Sequence, residues 1–295
     1  MNQGKYKNIL ANSGLFYSAV IWGSTFFIVK NALSYIHPVI LVGYRFTLAA
    51  VFLGIVMIFQ KKKLFRDFSK GLVLGILIAI LYLSQTIGLG ITTASNSGFI
   101  TGMFVAFVPL FSYLIIRKKP TLQGIIASGF SLCGLWILTG GLKSVNTGDL
   151  MTLITAVTYA VHILFADKYI KKGVDPYIIS FQQFFVVGVI SFIAGAVFRL
   201  PFEIVNLDIF SVILFLTLFP TLSAFVIQVV AQKIVSPVRV SLIFALEPLF
   251  AAIFAWTLGN EAFVTYRALG GFLIVIALVF SAIPIKAIYK KGSLP

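Results

Sequence analysis

Charge is scarce in this 295-residue chain: 11% of residues are Asp, Glu, Lys or Arg, and only 8 are acidic. A soluble domain is about 25% charged and about 45–50% apolar. Here 60% of residues are apolar and mean hydropathy is +1.05. One water-soluble globule cannot hide that much apolar surface, which excludes soluble, disordered and nucleic-acid-binding proteins. Cysteine is almost missing as well. The lone Cys133 rules out a disulfide framework, and with only 2 histidines no zinc or iron–sulfur ligand set can be assembled. The chain also lacks a nucleotide-binding loop, a His-Glu-x-x-His motif and paired intramembrane aspartates. A self-contained ATP-driven pump is thereby excluded. An intramembrane lipid-modifying enzyme has no acid, base or nucleophile cluster to work with, and no cofactor is expected. No Pro/Ser-rich linker sets off a second domain.

What is present is apolar run after apolar run. A spanning helix needs about 20 such residues, and ten runs of suitable length occur. They cover residues 11–30, 38–60, 71–90, 96–116, 122–141, 148–169, 176–198, 209–231, 238–258 and 266–285. The first lacks a small-residue cleavage site and reads as a retained helix rather than a signal peptide. The fold class expected is an all-α integral membrane protein of the cell membrane. Of the 23 Lys and Arg, only Lys30, Lys143, Arg199 and Arg267 fall on one side, with Arg45 inside a span. All others fall on the opposite side, so the positive-inside rule places both termini in the cytoplasm.

Ten spans divide into two sets of five. Pro38 aligns with Pro176 at an offset of 138, bringing Lys30 onto Lys168. Ser97 and Val108-Pro109-Leu110-Phe111 align with Ser236 and Glu247-Pro248-Leu249-Phe250 at an offset of 139. This predicts a duplication, with repeats at 1–143 and 144–295. Five is odd, so the second repeat enters the membrane inverted, an arrangement many secondary transporters use around a midplane site. A monomer suffices for such a pathway, and a dimer is also compatible.

Several motifs fit one family in order and spacing. Trp22-Gly23-Ser24-Thr25-Phe26, Tyr44-Arg45-Phe46 with Ala49-Ala50, and Leu246-Glu247-Pro248-Leu249-Phe250-Ala251-Ala252 followed by Leu258-Gly259-Asn260-Glu261 resemble signatures of the EamA family of the drug/metabolite transporter superfamily. Asn260 stands where that pattern has a more apolar residue. The resemblance covers essentially the whole chain. It implies ten helices and transport of small organic solutes, often export of amino acids or related metabolites. A lipid or lipid-linked-sugar flippase of the same superfamily is the alternative.

Charged residues inside spans are costly and mark function. Arg45 lies about 10 Å from the outer edge and Glu247 about 14 Å from the inner one, at 1.5 Å per residue. Glu247 is a candidate for holding a proton or a solute amine with Arg45 nearby; the alternative is a fixed Arg45–Glu247 ion pair that locks packing. His162 near mid-depth is either a relay or a packing histidine. Trp22 and Tyr159 can stack on a solute. Ser24, Thr25, Ser97 and Thr101 can combine close helix contact with polarity in the cavity. Pro109 and Pro248, deep in paired spans, are candidate hinges or gates. Gln85 and Gln228 read as interhelical glue, at most one of Gln182 and Gln183 lines a cavity, and Gly98 with Gly102 reads as a packing pair. Asp167 and Lys168 read as solvated charges at a helix end, and His37 as a surface residue. Glu261 with Arg267 is a possible external latch.

Overall fold

Short caps set where the helices begin. The computed structural model describes residues 3–92, 94–117, 119–139, 141, 145–257 and 263–282, all helix, turn or loop with no strand among them. The order is α1 (Gln3–Ala32), α2 (Pro38–Phe59), α3 (Phe68–Ile91), α4 (Ala94–Gly102), α5 (Phe104–Ile116), α6 (Leu122–Thr139) and α7 (Thr147–Lys171). There follow α8 (Pro176–Val197), α9 (Leu207–Leu216), a π-helical segment (Thr217–Ser223), α10 (Ala224–Ala231), α11 (Pro237–Phe244), α12 (Glu247–Thr257) and α13 (Thr265–Ala282). Among the described residues, eight helical stretches are long and apolar enough to cross a bilayer, and two shorter apolar helices accompany them. The chain is a multi-pass membrane protein with eight to ten apolar spanning helices.

The aligned prolines Pro38 and Pro176 each occupy the first position of a helix, where a missing N–H costs nothing. His37 caps α2 through Nδ1, which accepts from the Val39 amide. It is therefore a helix cap rather than a bystander in a surface turn. Partial burial lowers its pKa, which favours the neutral ring that accepts this bond. Asp175 caps α8 by accepting from the Tyr177 and Ile178 amides. Lys30 caps the other end of α3, donating from Nζ to the Leu89 (2.6 Å) and Thr92 (2.9 Å) carbonyls; a cation at a helix C-terminus also meets the dipole favourably. Asp167 is not a solvated charge: it is buried and pairs with Lys171 one turn on.

Three spans depart from the expected continuous helices. The fourth apolar run breaks at Met103 and the ninth at Ala245–Leu246, giving α4/α5 and α11/α12. The eighth passes through the π-helical segment around Pro220. The two expected hinge prolines do not sit alike. Pro109 lies inside α5, six residues past its break, whereas Pro248 is the second residue of α12, where proline is tolerated.

α2 packs on α8, α3 on α7 and α8, α6 on α13, and α1 on α10 and α12. The α6–α13 contact is backbone-close. A Cβ on Gly270 would stand 2.3 Å from the Leu138 amide nitrogen, and one on Gly134 would stand 2.7 Å from the Gly270 carbonyl. In lipid, where helices gain nothing by hiding from water, such small-residue contacts carry the association. Of the expected Gly98–Gly102 pair, Gly102 touches Leu135 and Pro248, but the Cβ position of Gly98 is open.

Asp175 carries a testable energetic claim. Burial alone would push its carboxyl up, but the Lys62 ammonium at 2.7 Å and the two α8 amides outweigh it and hold the pKa below the usual carboxylate range. A depressed folded-state pKa stabilises the protein above the unfolded value, and that share is lost as pH falls through the folded one. Asp175→Ala is expected to cost about 1 kcal/mol at neutral pH, mainly through the lost cap, because a half-exposed ion pair adds little. The difference between variant and parent in thermal unfolding should be full above about pH 4 and fade below it. A constant difference down to pH 3 would refute the charged-cap account.

Candidate functional site

Both helix breaks border one cavity. Thr101 lies in the last turn of α4 and Glu247 is the first residue of α12. With Trp22 and Thr25 of α1, Leu81, Tyr82 and Gln85 of α3, Tyr159 of α7 and Phe225 of α10, they enclose about 20 Å³. A cavity needs roughly 10–15 Å³ to hold one water, so the free space at the site is about that of one water. Helical spacing aims these groups: Trp22 and Thr25 are three apart, and Tyr82 and Gln85 likewise. Irregular backbone at membrane depth is tolerated where it lines such a cavity, which accounts for the two breaks.

Glu247 is 6% exposed, and no hydrogen bond or ion pair joins it to another described side chain. As the first residue of α12 it sits at the positive end of the helix dipole. Its backbone is also held close to α1. A Cβ on Gly23 would fall 2.8 Å from the Glu247 carbonyl oxygen and 2.6 Å from Phe250 Cβ. The Trp22-Gly23 pair therefore places one aromatic wall and the close helix contact side by side.

The rings around Glu247 interlock. Trp22 meets Phe244 at 4.8 Å, Phe225 at 5.1 Å and Tyr159 at 6.1 Å between centroids. Its indole Nε1 donates to the Pro220 carbonyl at 2.7 Å. Pro220 has no N–H, so the Leu216 carbonyl loses its ordinary α-helical donor; the chain takes up π-helical i→i+5 spacing there, and the Thr221 hydroxyl also donates to that carbonyl, at 2.7 Å. Arg45 Nε then donates to Thr221 Oγ1 at 2.8 Å. The π-helical segment is thus tied to α1 by Trp22 and to α2 by Arg45.

Of the residues singled out in the sequence, Glu247, Trp22, Tyr159 and Thr101 share the cavity, while Arg45, His162 and Ser97 stand outside its lining. Arg45 lies behind it, its guanidinium carbon 4.7 Å from the Tyr82 ring centroid and 5.4 Å from that of Phe46, an arrangement of cation–π type. No ion pair joins Arg45 to Glu247, so the locked-pair expectation fails. His162 is fully buried and donates from Nε2 to Gln183 Oε1 at 3.1 Å, with Tyr159 and Phe225 between it and the cavity. Ser97 faces α7, 3.5 Å from the Thr152 hydroxyl. Neither Gln182 nor Gln183 reaches the cavity: Gln182 holds the Leu64 and Arg66 carbonyls, and Gln183 holds His162. Gln85 does line it, and donates to Thr101 at 3.2 Å. Of the Glu261–Arg267 latch, Glu261 lies outside the described residues.

Sequence reasoning missed Tyr82 and Phe225. Tyr82 had a usable signal, a polar tip three residues before Gln85 on one face of an apolar helix. Phe225 had none, being one of 30 phenylalanines.

The model of the EamA-like transporter family matches twice, over residues 9–140 and 146–283. An uncharacterized transporter of Archaeoglobus fulgidus is 30% identical over 276 residues, covering 92% of this chain and 86% of that protein. The uncharacterized inner membrane transporter YedA of Escherichia coli K12 is 27% identical over 295 residues, covering 93% and 92%. YyaM of Bacillus subtilis, also named an uncharacterized transporter, is 24% identical over 277 residues, covering 88% and 90%. One solved crystal structure superposes with a TM-score of 0.76 at 16% identity over 92% of this chain and 96% of the other, a likeness of fold. The chain belongs to the EamA-like transporter family.

Proposed function

We propose that the protein is a secondary transporter of the cell membrane that exports small organic solutes bearing a protonated amine, such as amino acids. It works by alternating access between two inverted five-span repeats, 1–143 and 144–295. The observation that carries this reading is the cavity itself: one carboxylate, Glu247, among the rings of Trp22, Tyr82, Tyr159 and Phe225. A carboxylate pairs with an ammonium, and aromatic faces attract the same cation. One carboxyl can hold a proton or an ammonium but not both, which gives exchange of a solute for a proton.

The repeat reading draws support from the double family match and from the packing. The contacts α2–α8 and α6–α13 join second to second and fifth to fifth runs, and α3–α7 has its exchanged counterpart in α10–α1. The ten-span count is supported by α6 and α13, each 18 residues long, or about 27 Å at helical rise against a hydrocarbon core of about 30 Å. The cytoplasmic placing of both termini rests on the Lys/Arg asymmetry. The cavity, at about 20 Å³, is far below the roughly 300–1,000 Å³ of a ligand site, so solute entry requires the broken spans to part.

The experiment is uptake of labelled amino acids and related amines into liposomes holding the purified protein, with and without a pH gradient. Saturable, gradient-dependent movement of amines is the expected result. If a folded protein moves no soluble solute but moves labelled lipid between leaflets, the flippase reading replaces this one.

A further inference from the structure

Two neighbouring features on the α2–α8 face take no part in the central site. One is a groove of about 560 Å³ whose walls include Gly54, Ile55 and Ile58 of α2, Leu64, and Phe181 and Phe185 of α8. The other is a cavity of about 350 Å³ lined by Lys61, Lys62, Lys63 and Arg66 with Asp67 and Asp175. The loop 60–67 builds both: Leu64 belongs to the groove, and its neighbours line the cavity. This loop is held in place, since Gln182 Nε2 donates to the Leu64 carbonyl (2.8 Å) and the Arg66 carbonyl (2.7 Å). Phe65 also sets its ring edge-on against Phe68, Phe181 and Phe185.

The charges in the cavity do not balance. Asp175 is engaged by Lys62 at 2.7 Å and by the first amides of α8. Asp67 is engaged by Lys70 at 2.8 Å and Arg66 at 3.8 Å. Lys61 and Lys63 are exposed and meet no carboxylate among the described residues. Lys61 adopts a left-handed backbone with φ 54°, uncommon for a residue with a Cβ.

We propose that groove and cavity together form a binding site for an anionic phospholipid, its phosphate on Lys61 and Lys63 and an acyl chain along the groove. The cavity lies within the size range of small-ligand sites. Basic pockets at the ends of spanning helices suit anionic headgroups. A zwitterionic lipid leaves the positive excess uncompensated, and a free phosphate leaves the apolar groove without an occupant.

The test is native mass spectrometry of the full-length protein in neutral detergent, titrated separately with phosphatidylglycerol, phosphatidylcholine and inorganic phosphate. Phosphatidylglycerol should be retained saturably and in preference to phosphatidylcholine, and phosphate should not displace it. Lys61→Gly combined with Lys63→Gln should weaken phosphatidylglycerol roughly thirtyfold, from two surface charges removed. Glycine suits the left-handed position, so this variant should unfold at the parental temperature or above. Equal retention of phosphatidylcholine overturns the headgroup assignment. Displacement by phosphate overturns the lipid in favour of a free anion. Unchanged phosphatidylglycerol binding in the double variant places the site elsewhere.

Discussion

Glu247→Gln should yield a protein that folds as well as the parent and no longer drives solute movement with a proton gradient. The substitution keeps shape and removes charge. Glu247 has no hydrogen bond or ion pair to another described side chain, so no partner is orphaned by the change. Removing a charge from a membrane interior relieves a cost of about 2.5–3.5 kcal/mol on insertion scales. Thermal stability in detergent should therefore hold or rise. Solute handling should move the other way. Losing one member of a buried, hydrogen-bonded charge pair typically costs about 2–5 kcal/mol, a KM increase of roughly thirtyfold or more for an amine substrate. Two readouts of opposite sign separate a functional carboxyl from a structural one. If transport and its pH dependence survive in Glu247→Gln, the exchange mechanism is wrong.

The residues explain which parts of this arrangement were legible beforehand. Helix starts at Pro38 and Pro176 were readable because proline states its backbone preference locally, and both prolines open helices. Glu247 was readable because a carboxylate inside an apolar run is costly and needs a reason to be there. Trp22 and Tyr159 were readable because each carries a polar handle at mid-span. Arg45 stands behind the cavity wall rather than on its lining, for a reason of tertiary geometry. Its depth matched that of Glu247, but depth says nothing of azimuth, and α2 turns it toward Thr221 and Tyr82. The same ambiguity moved His162 behind Tyr159 and turned Ser97 toward α7. The two candidate hinge prolines stand differently to the breaks: Pro248 directly follows one, whereas Pro109 lies six residues past the other. The breaks at Met103 and at Ala245–Leu246 stand where the chain borders the cavity, and Pro248 merely starts the helix that follows. Pro220 went unread, and it lies in the segment that both Trp22 and Arg45 hold.

Trp22→Ala should be the most destabilising single change at the site, at about 3–5 kcal/mol by the usual cost of emptying a buried aromatic position. Trp22 is 4% exposed and is the ring on which Tyr159, Phe225 and Phe244 converge. Trp22→Phe divides that sum. It keeps one ring in place but removes the indole N–H together with part of the ring volume, leaving the Pro220 carbonyl without the bond it receives at 2.7 Å. An unsatisfied buried acceptor costs about 1–3 kcal/mol, so Trp22→Phe should fall between parent and Trp22→Ala in thermal unfolding. The loss should be local to the π-helical segment. Hydrogen exchange over residues 217–223 should accelerate in Trp22→Phe, while exchange in α6 and α13, which pack on each other through Gly134 and Gly270, stays at the parental rate. A uniform acceleration would mean that Trp22 only fills volume. A local one would mean that the side chain walling the cavity also restrains the irregular segment beside it, so that solute entry and movement of the eighth span share one residue.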